Sequence, residues 1–271
     1  MLPPNAAALS MRIAKRIARS GVCSRREAER WIEMGRVTLN GKVITSPAIN
    51  VTQQDIIHVD NKPLSPIQRT RVIIANKLDG ELVTTSDSQH RLTIFDRLRK
   101  TGLECHIMPV GQLDFHTEGL LLLTNDGDYA RYLEHPSNAI PRRYRAKVYG
   151  RWDDSRVLAL SHSNIIDGKR YKGCLVKRDL DRSSANAMEH WCTIQVTEGK
   201  YHEVKNLLGF VGLNVEKLVR TNFGAYSLGN LVPGEFREVK PIPTSRVARI
   251  PYFDFSWIVC LDGNEVRLKE W

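Results

Sequence analysis

The stretch GQLDFHTEGLLLLTNDGD, residues 111–128, puts Asp114 ahead of a bare leucine run and Asp126 and Asp128 behind it, with Glu118 between. Leucines demand burial and an ionised carboxylate resists it, so the chain changes character within a few residues. A carboxylate held at the edge of a buried segment can serve as a nucleophile or as a base. Read singly, the leucine run is a core strand and Asp114 a turn residue. Asp126-Gly127 reads as a turn and helix start with Asp126 near the N-cap, and Asp128 and Glu118 as solvated. His116 and His202 sit beside these residues, but the eight histidines are dispersed, a lone histidine is usually a surface or satisfied group, and no H-x-x-x-H pair offers a metal site. The chain has no G-x-x-x-x-G-K-[ST], no G-x-G-x-x-G after a strand and no G-x-S-x-G elbow. ATP-driven, dehydrogenase and serine-hydrolase chemistry therefore lack their signatures.

The elements that must position such a carboxylate belong to a chain of 271 residues, long enough for one large or two smaller domains. A net charge of +10 and a pI near 9.5 attract polyanions, so nucleic acid is the leading partner class. No apolar run approaches the length of a membrane span, and GLLLLT is far too short for one. The cysteines, Cys23, Cys105, Cys174, Cys192 and Cys260, are scattered and form no C-x-x-C pair, which disfavours a zinc site and fits a reducing cytoplasm.

A compact module is expected over residues 11–60, after a flexible N-terminus, 1–10. Ile13, Ala14, Ile17 and Ala18 repeat at helical spacing and Gly21 stops that helix. Ser24 and Glu27 form a capping-box pattern opening a second helix, with Ala28, Trp31 and Ile32 facing inward and Gly35 closing it. RVTLNGKVIT reads as a hairpin around Asn40-Gly41. The inward faces leave Arg12, Lys15, Arg16, Arg19, Arg25, Arg26 and Arg30 on the outside of the two helices, opposed there only by Glu27, Glu29 and Glu33. Residues 61–70, with two prolines and no periodicity, read as a linker.

Beyond the linker, RVIIANKL, GELVTT, HIMPVGQLD, the leucine run, RRYRAKVYG, YKGCLVKRDL, HWCTIQVTEG, NVEKLVRTNFGAYSL and GEFREVKPI read as strands. TIFDRLRKTG, GDYARYLEHP and HEVKNLLGFVG read as helices. Strands outnumber helices and several adjoin across short turns, so the expected class is α+β, on a largely antiparallel or mixed sheet with flanking helices. The domain is expected over 71–250, followed by an extension, 251–271. Arg142, Arg143, Arg145 and Lys147 crowd one strand, as a phosphate-tracking surface would.

Two resemblances connect these readings. The order helix, S-R-R-E-A-E helix, G-x-V-x-L-N-G hairpin resembles the S4 RNA-binding module, in which two helices lay a basic surface on structured RNA. PVGQLDFHTEGLLLLTNDGD resembles the G-R-L-D-x-x-T-x-G-L-L-L-L-T-N-D-G signature of pseudouridine synthases, specifically the RsuA/RluB/RluF branch that modifies ribosomal RNA and carries an N-terminal S4 module. NKLDGELVTT parallels that branch's K-P-x-G-x-x-x-T strand through Lys77 and Gly80, and RRYRAKVYG its K-x-Y-x-V strand. TEGKYHEVKNLL parallels E-G-[KR]-x-x-Q-[VI]-[KR]-x-M, and LVRTNFGAYSLGNLVPGEFREV parallels L-x-R-x-x-x-G-x-x-x-L-x-x-L-x-P-G-x-x-R-x-L. The resemblance covers residues 11–242 in order.

The resemblance implies an isomerase that breaks the N1–C1′ bond of a flipped-out uridine, turns the base and rejoins it through C5. No redox change or group transfer occurs, so no cofactor, metal or nucleotide is implied. It assigns Asp114 to the sugar–base unit as nucleophile or base, Lys205 as the cation beside it, Tyr144 to the base, and Leu218, Gln112 and Lys77 to the pocket. It implies ribosomal RNA as the substrate, and the protein is expected to be a cytoplasmic monomer. The tail favours the large-subunit RNA (23S), while EGKYHEVK leans toward the small (16S). Gln112, Glu203 and Leu78 stand where the family usually has arginine, glutamine and proline. The alternative is an inactive S4-guided ribosome-assembly factor whose catalytic fold serves as scaffold. A synthetase fragment fails for want of a nucleotide-binding signature.

Overall fold

The computed structural model describes residues 10–85, 87–102, 106–179 and 188–248. The expected flexible segment 1–10, apart from Ser10, and the expected extension 251–271 lie outside the described residues.

The first module forms as its pattern requires. Helices α1 (Ile13–Arg19) and α2 (Arg25–Glu33) bury Ile13, Ala14, Ile17, Ala28 and Ile32 against Val37, Val51 and Ile57 of a small sheet. Ser24 caps α2 by accepting from the Glu27 N–H, but the reciprocal half of the capping box is not made, because the Glu27 carboxylate accepts from Arg30 instead. Val37–Leu39 and Lys42–Ile44 pair around Asn40 and Gly41, both at positive φ, the turn an Asn-Gly hairpin demands. The segment expected as a linker enters this sheet through Lys62–Pro63, which pairs with His58 and Val59.

The second domain is built on one nine-stranded sheet. In chain order its elements are β1 (Val72–Lys77), α3 (Ile94–Arg99), β2 (Met108–Val110), β3 (Thr117–Thr124), α4 (Gly127–Glu134), β4 (Arg142–Tyr149), α5 (Asp154–Ala159), β5 (Leu175–Arg178), β6 (Glu189–Val196), α6 (Glu203–Phe210), β7 (Asn214–Phe223), β8 (Tyr226–Ser227) and β9 (Phe236–Val239). The order across the sheet is β5-β6-β4-β7-β3-β1-β9, with β2 beside β3 and β8 beside β7. The strand pairs are antiparallel except β3 with β7, so the sheet is mixed, as the pattern implies. The leucine run is buried on both faces. Leu121 and Leu123 join Ile73, Ala75 and Tyr144 in one core, while Leu120 and Leu122 join Val72, Ile74 and Phe223 in another. The parallel junction is tight enough to require glycine. A Cβ on Gly119, at φ +96°, would meet the Arg220 carbonyl at 2.4 Å.

GELVTT does not form the expected strand; only Leu82 makes a bridge, to Thr93. The buried Glu81 carboxylate accepts from the Leu78 N–H and from Arg97, holding this segment as a loop folded onto the end of β1. Asp126 caps α4 as expected, accepting from the N–H groups of Asp128 and Tyr129.

The S4-like module packs on the N-terminal end of α4. Arg19 lies 2.9 Å from the Asp126 carboxylate and Lys15 2.5 Å from that of Asp128. Thr70 donates to Asp126, and Arg16 donates to the Ser65 carbonyl. The cations of α1 thus face the linker and the second domain, which corrects the expectation that both helices turn their charges outward. Their acidic partners lie more than a hundred residues away in the chain, where helical periodicity cannot see them. Arg12 likewise donates to the Ala48 carbonyl.

Candidate active site

Asp114 sits in the turn before β3, and that turn is held from several sides. The Thr117 N–H donates to the Asp114 carbonyl at 3.0 Å, and the Gly80 N–H to the Phe115 carbonyl at 3.0 Å. Gly111 donates to the Glu134 carboxylate at 2.7 Å. Lys77, fully buried, donates to the carbonyls of Leu78, Phe115 and Thr117 at 3.0, 3.0 and 2.9 Å. Burial pulls its ammonium down to about 8, while Glu81 pulls the other way. Lys77 therefore stands behind the Asp114 turn and organises it through backbone carbonyls. It does not line the cleft, which corrects its assignment to the pocket.

The cleft in front of Asp114 holds about 800 Å³. Asp114 presents a half-buried carboxylate with His202 Nε2 at 3.4 Å and Lys205 Nζ at 3.7 Å. Both partners come from the start of α6. His202 takes a left-handed conformation, φ +53°, and Tyr201 stacks on its ring at 3.8 Å. Tyr144 on β4 and Leu218 on β7, both buried, form apolar wall. The cleft thus combines one acceptor carboxylate, two nitrogen groups facing it and a flat aromatic surface, in a space that admits a nucleoside. Gln112 lies exposed at its rim, in reach of solvent.

Glu203, the residue after His202, is buried and lines the same cleft. Burial, helped by the nearby Glu198 charge, pushes its carboxyl up to about 7.

The arginines of β4 do not form the expected phosphate-tracking surface. Arg142 and Arg143 are buried. Arg142 donates to the carbonyls of Ile140 and Glu198, and Arg143 to the Gln195 side chain. Arg145 pairs with Asp179 at 3.0 Å and lies over the Trp191 ring, and Lys147 bridges Glu189 and Glu216. This strand is central in the sheet, so neighbouring strands satisfy its cations. On α2, by contrast, Arg25, Arg26 and Arg30 are exposed, and among the described residues Arg25 pairs with Glu29 and Arg30 with Glu27, each within one turn.

Sequence reasoning set His202 aside as a lone histidine and gave Arg220 no role. The structure brings both to the cleft. His202 follows directly from Tyr201 in the motif that supplies Lys205, a proximity that carried the signal. Arg220 lies two residues beyond Leu218 and shares its strand face.

Comparison with known proteins agrees with this geometry. Residues 11–57 match the S4 domain and residues 71–209 match RNA pseudouridylate synthase. An uncharacterized RNA pseudouridine synthase of Rickettsia bellii is 40% identical over 229 residues, spanning 84% of this chain and 96% of that protein. Ribosomal large subunit pseudouridine synthase B of Yersinia pestis is 35% identical over 227 residues, 82% of this chain and 70% of its own. The crystal structure of a pseudouridylate synthase superposes with a TM-score of 0.58 at 22% identity, covering 88% of this chain and 99% of the other, a likeness of fold. With the ordered S4 and catalytic domains, a cleft centred on Asp114 and relatives of this identity along most of its length, the chain belongs to the RNA pseudouridine synthases of the S4-bearing branch.

Proposed function

We propose that this enzyme isomerises a specific uridine of ribosomal RNA to pseudouridine, with the large-subunit RNA as its substrate and Asp114 as the group that acts on the sugar–base unit. The observation that carries the reading is the Asp114 carboxylate at the edge of a nucleoside-sized cleft, faced by Lys205 and His202 and walled by Tyr144 and Leu218. The large-subunit assignment is supported by the 35% identity to a relative named for that activity.

The groups divide the work by position. The target leaves its stack and enters the cleft, at a cost of a few kcal/mol. Tyr144 offers its ring to the uracil and Leu218 excludes water from the other side. Asp114 meets the ribose at C1′ or at its neighbouring proton, while Lys205 supplies positive charge and His202 a ring nitrogen beside the carboxylate. Lys77 fixes the turn from behind. Arg25, Arg26 and Arg30 on α2 hold RNA phosphates, a contact that orients the RNA without reading its sequence.

The test is direct. Unmodified large- and small-subunit rRNA transcripts are incubated with the enzyme and with Asp114→Asn, then probed for pseudouridine by carbodiimide labelling and primer extension. A single site in the large-subunit transcript is expected with the wild type and none with Asp114→Asn. Product at equal rate from the variant would remove Asp114 from the chemistry. RNA retention without product from either would favour a binding protein.

A further inference from the structure

Two buried polar atoms in the cleft have no partner among the described residues: Nη2 of Arg220 and Oγ1 of Thr117. Both residues line the cleft and each is 2% exposed. They belong to one patch, because the parallel β3–β7 register sets Thr117 opposite Leu218 and Gly119 opposite Arg220. The patch belongs to the same cleft as Asp114, which lines it together with Thr117, Leu218 and Arg220. Arg220 commits Nε to the Leu120 carbonyl at 2.8 Å. Its guanidinium shares the Phe223 ring with that of Arg142, at 5.0 and 4.7 Å from the ring centre. Burial pulls Arg142 below the ordinary arginine range, and the Arg220 charge pulls the same way. Glu203, the buried carboxylate acting on Arg142, is itself held up near 7 and so is only partly ionised at neutral pH. The floor of the cleft therefore holds two guanidinium groups on one ring and an unused donor on Arg220, a donor that is costly to bury unless an acceptor comes to it.

We propose that Arg220 Nη2 and Thr117 Oγ1 bind the pyrimidine edge of the target uridine, and that the Arg220–Arg142 pair stabilises the uracil anion formed when the glycosidic bond breaks. This rests on the reading of the cleft given above and adds the residues that read and hold the base. A ring N–H beside a carbonyl is the edge uracil offers. The Thr117 hydroxyl accepts from N3–H and the guanidinium donates to the adjacent carbonyl oxygen. Cytosine carries an amino group where uracil has its C4 carbonyl, so with Arg220 placed at O4 it meets the guanidinium donor to donor and leaves it unpaired. Whichever way the sugar is handled, the N1–C1′ bond breaks with its electron pair going to N1. The charge spreads over the ring to the carbonyl oxygens, where Arg220 meets it in a water-poor site. Rejoining reverses the flow: C5 gives an electron pair to C1′, the C5 proton leaves to a base, and N1 takes up a proton. Atoms and charge balance, and the two guanidinia need not move.

The test compares wild type with Arg220→Met and Thr117→Val in single-turnover reactions on the rRNA transcript, made with uridine or with 5-fluorouridine, whose base departs more readily as an anion. Consumption of the target nucleoside is followed by mass spectrometry of digests, and RNA affinity by filter binding. Arg220→Met is expected to bind RNA within about threefold of wild type yet react roughly 100-fold more slowly on uridine, the loss seen when one preorganised donor is removed. On 5-fluorouridine that deficit should shrink by about tenfold or more, a leaving-group dependence that a purely structural role would not produce. Thr117→Val keeps the side-chain shape and is expected to slow the uridine reaction by roughly tenfold, a readout that stands even if Arg220→Met fails to fold. Equal deficits on the two substrates, a fall in RNA affinity that matches the rate loss, or Thr117→Val at the wild-type rate would overturn the proposal. Wild type inactive on every transcript would instead refute the underlying reading, before any variant is compared.

Discussion

Glu203 offers the sharpest test of the electrostatics around the cleft. Its carboxyl rises from an ordinary 4.5 to about 7, first through burial and then through the Glu198 charge, with Arg142 pulling the other way. Between those two values the folded protein keeps a proton that the unfolded chain has already released. The folded state then binds more protons, so this group's contribution to stability falls as pH rises from 4.5 toward 7 and levels off above it. Glu203→Gln removes the proton equilibrium while keeping shape and an oxygen that still accepts from the Lys200 N–H. The full shift corresponds to roughly 3 kcal/mol above pH 7, a ceiling that the lost attraction to Arg142 reduces. For a domain of this size that is a melting temperature raised by up to about 10 °C. Thermal denaturation of wild type and variant from pH 5 to 8.5 reads it: the variant's advantage should grow with pH and flatten above 7.5. An advantage independent of pH would show that packing and not charge governs the site. A gap that opens toward low pH would show that the carboxylate, paired with Arg142, stabilises the fold, and the argument would fail.

Two further outcomes follow from the same interactions. Lys77→Met leaves three carbonyls without their donor in a buried place and should cost about 3–5 kcal/mol by urea denaturation, with pseudouridine formation reduced because the Asp114 turn loses its anchor; a loss below 1 kcal/mol would contradict that role. Alanine at Arg25, Arg26 and Arg30 should lower RNA affinity and reduce the salt dependence of binding by about 0.7–0.9 for each phosphate no longer neutralised, whereas Lys15→Ala and Arg19→Ala should leave that slope unchanged and lower the melting temperature instead; equal effects from both sets would place α1 on the RNA.

The elements nearest Asp114 were legible because their signals are local. The leucine run, the Asp126 cap and the Asn40-Gly41 turn each need only a few consecutive residues, and each stands where the pattern put it. Charge was not legible in the same way. A sequence states that Arg19, Arg142 and Lys77 are cations, but not that Asp126, the Glu198 carbonyl and the Phe115 carbonyl already occupy them. Those partners arrive through packing between distant segments, so a helix face or strand that looks bare in one dimension is satisfied in three. The converse holds for Arg220. Nothing in its immediate neighbours marks it, yet the parallel pairing of β3 with β7 carries it beside Thr117 and Tyr144 in the floor of the cleft. On the proposed reading, Arg25, Arg26 and Arg30 on the outer helix meet the RNA backbone, and Arg220 inside the cleft meets the base. That reading splits recognition between a surface that grips any phosphate and an interior that accepts one pyrimidine, the division an enzyme acting on a single flipped uridine requires.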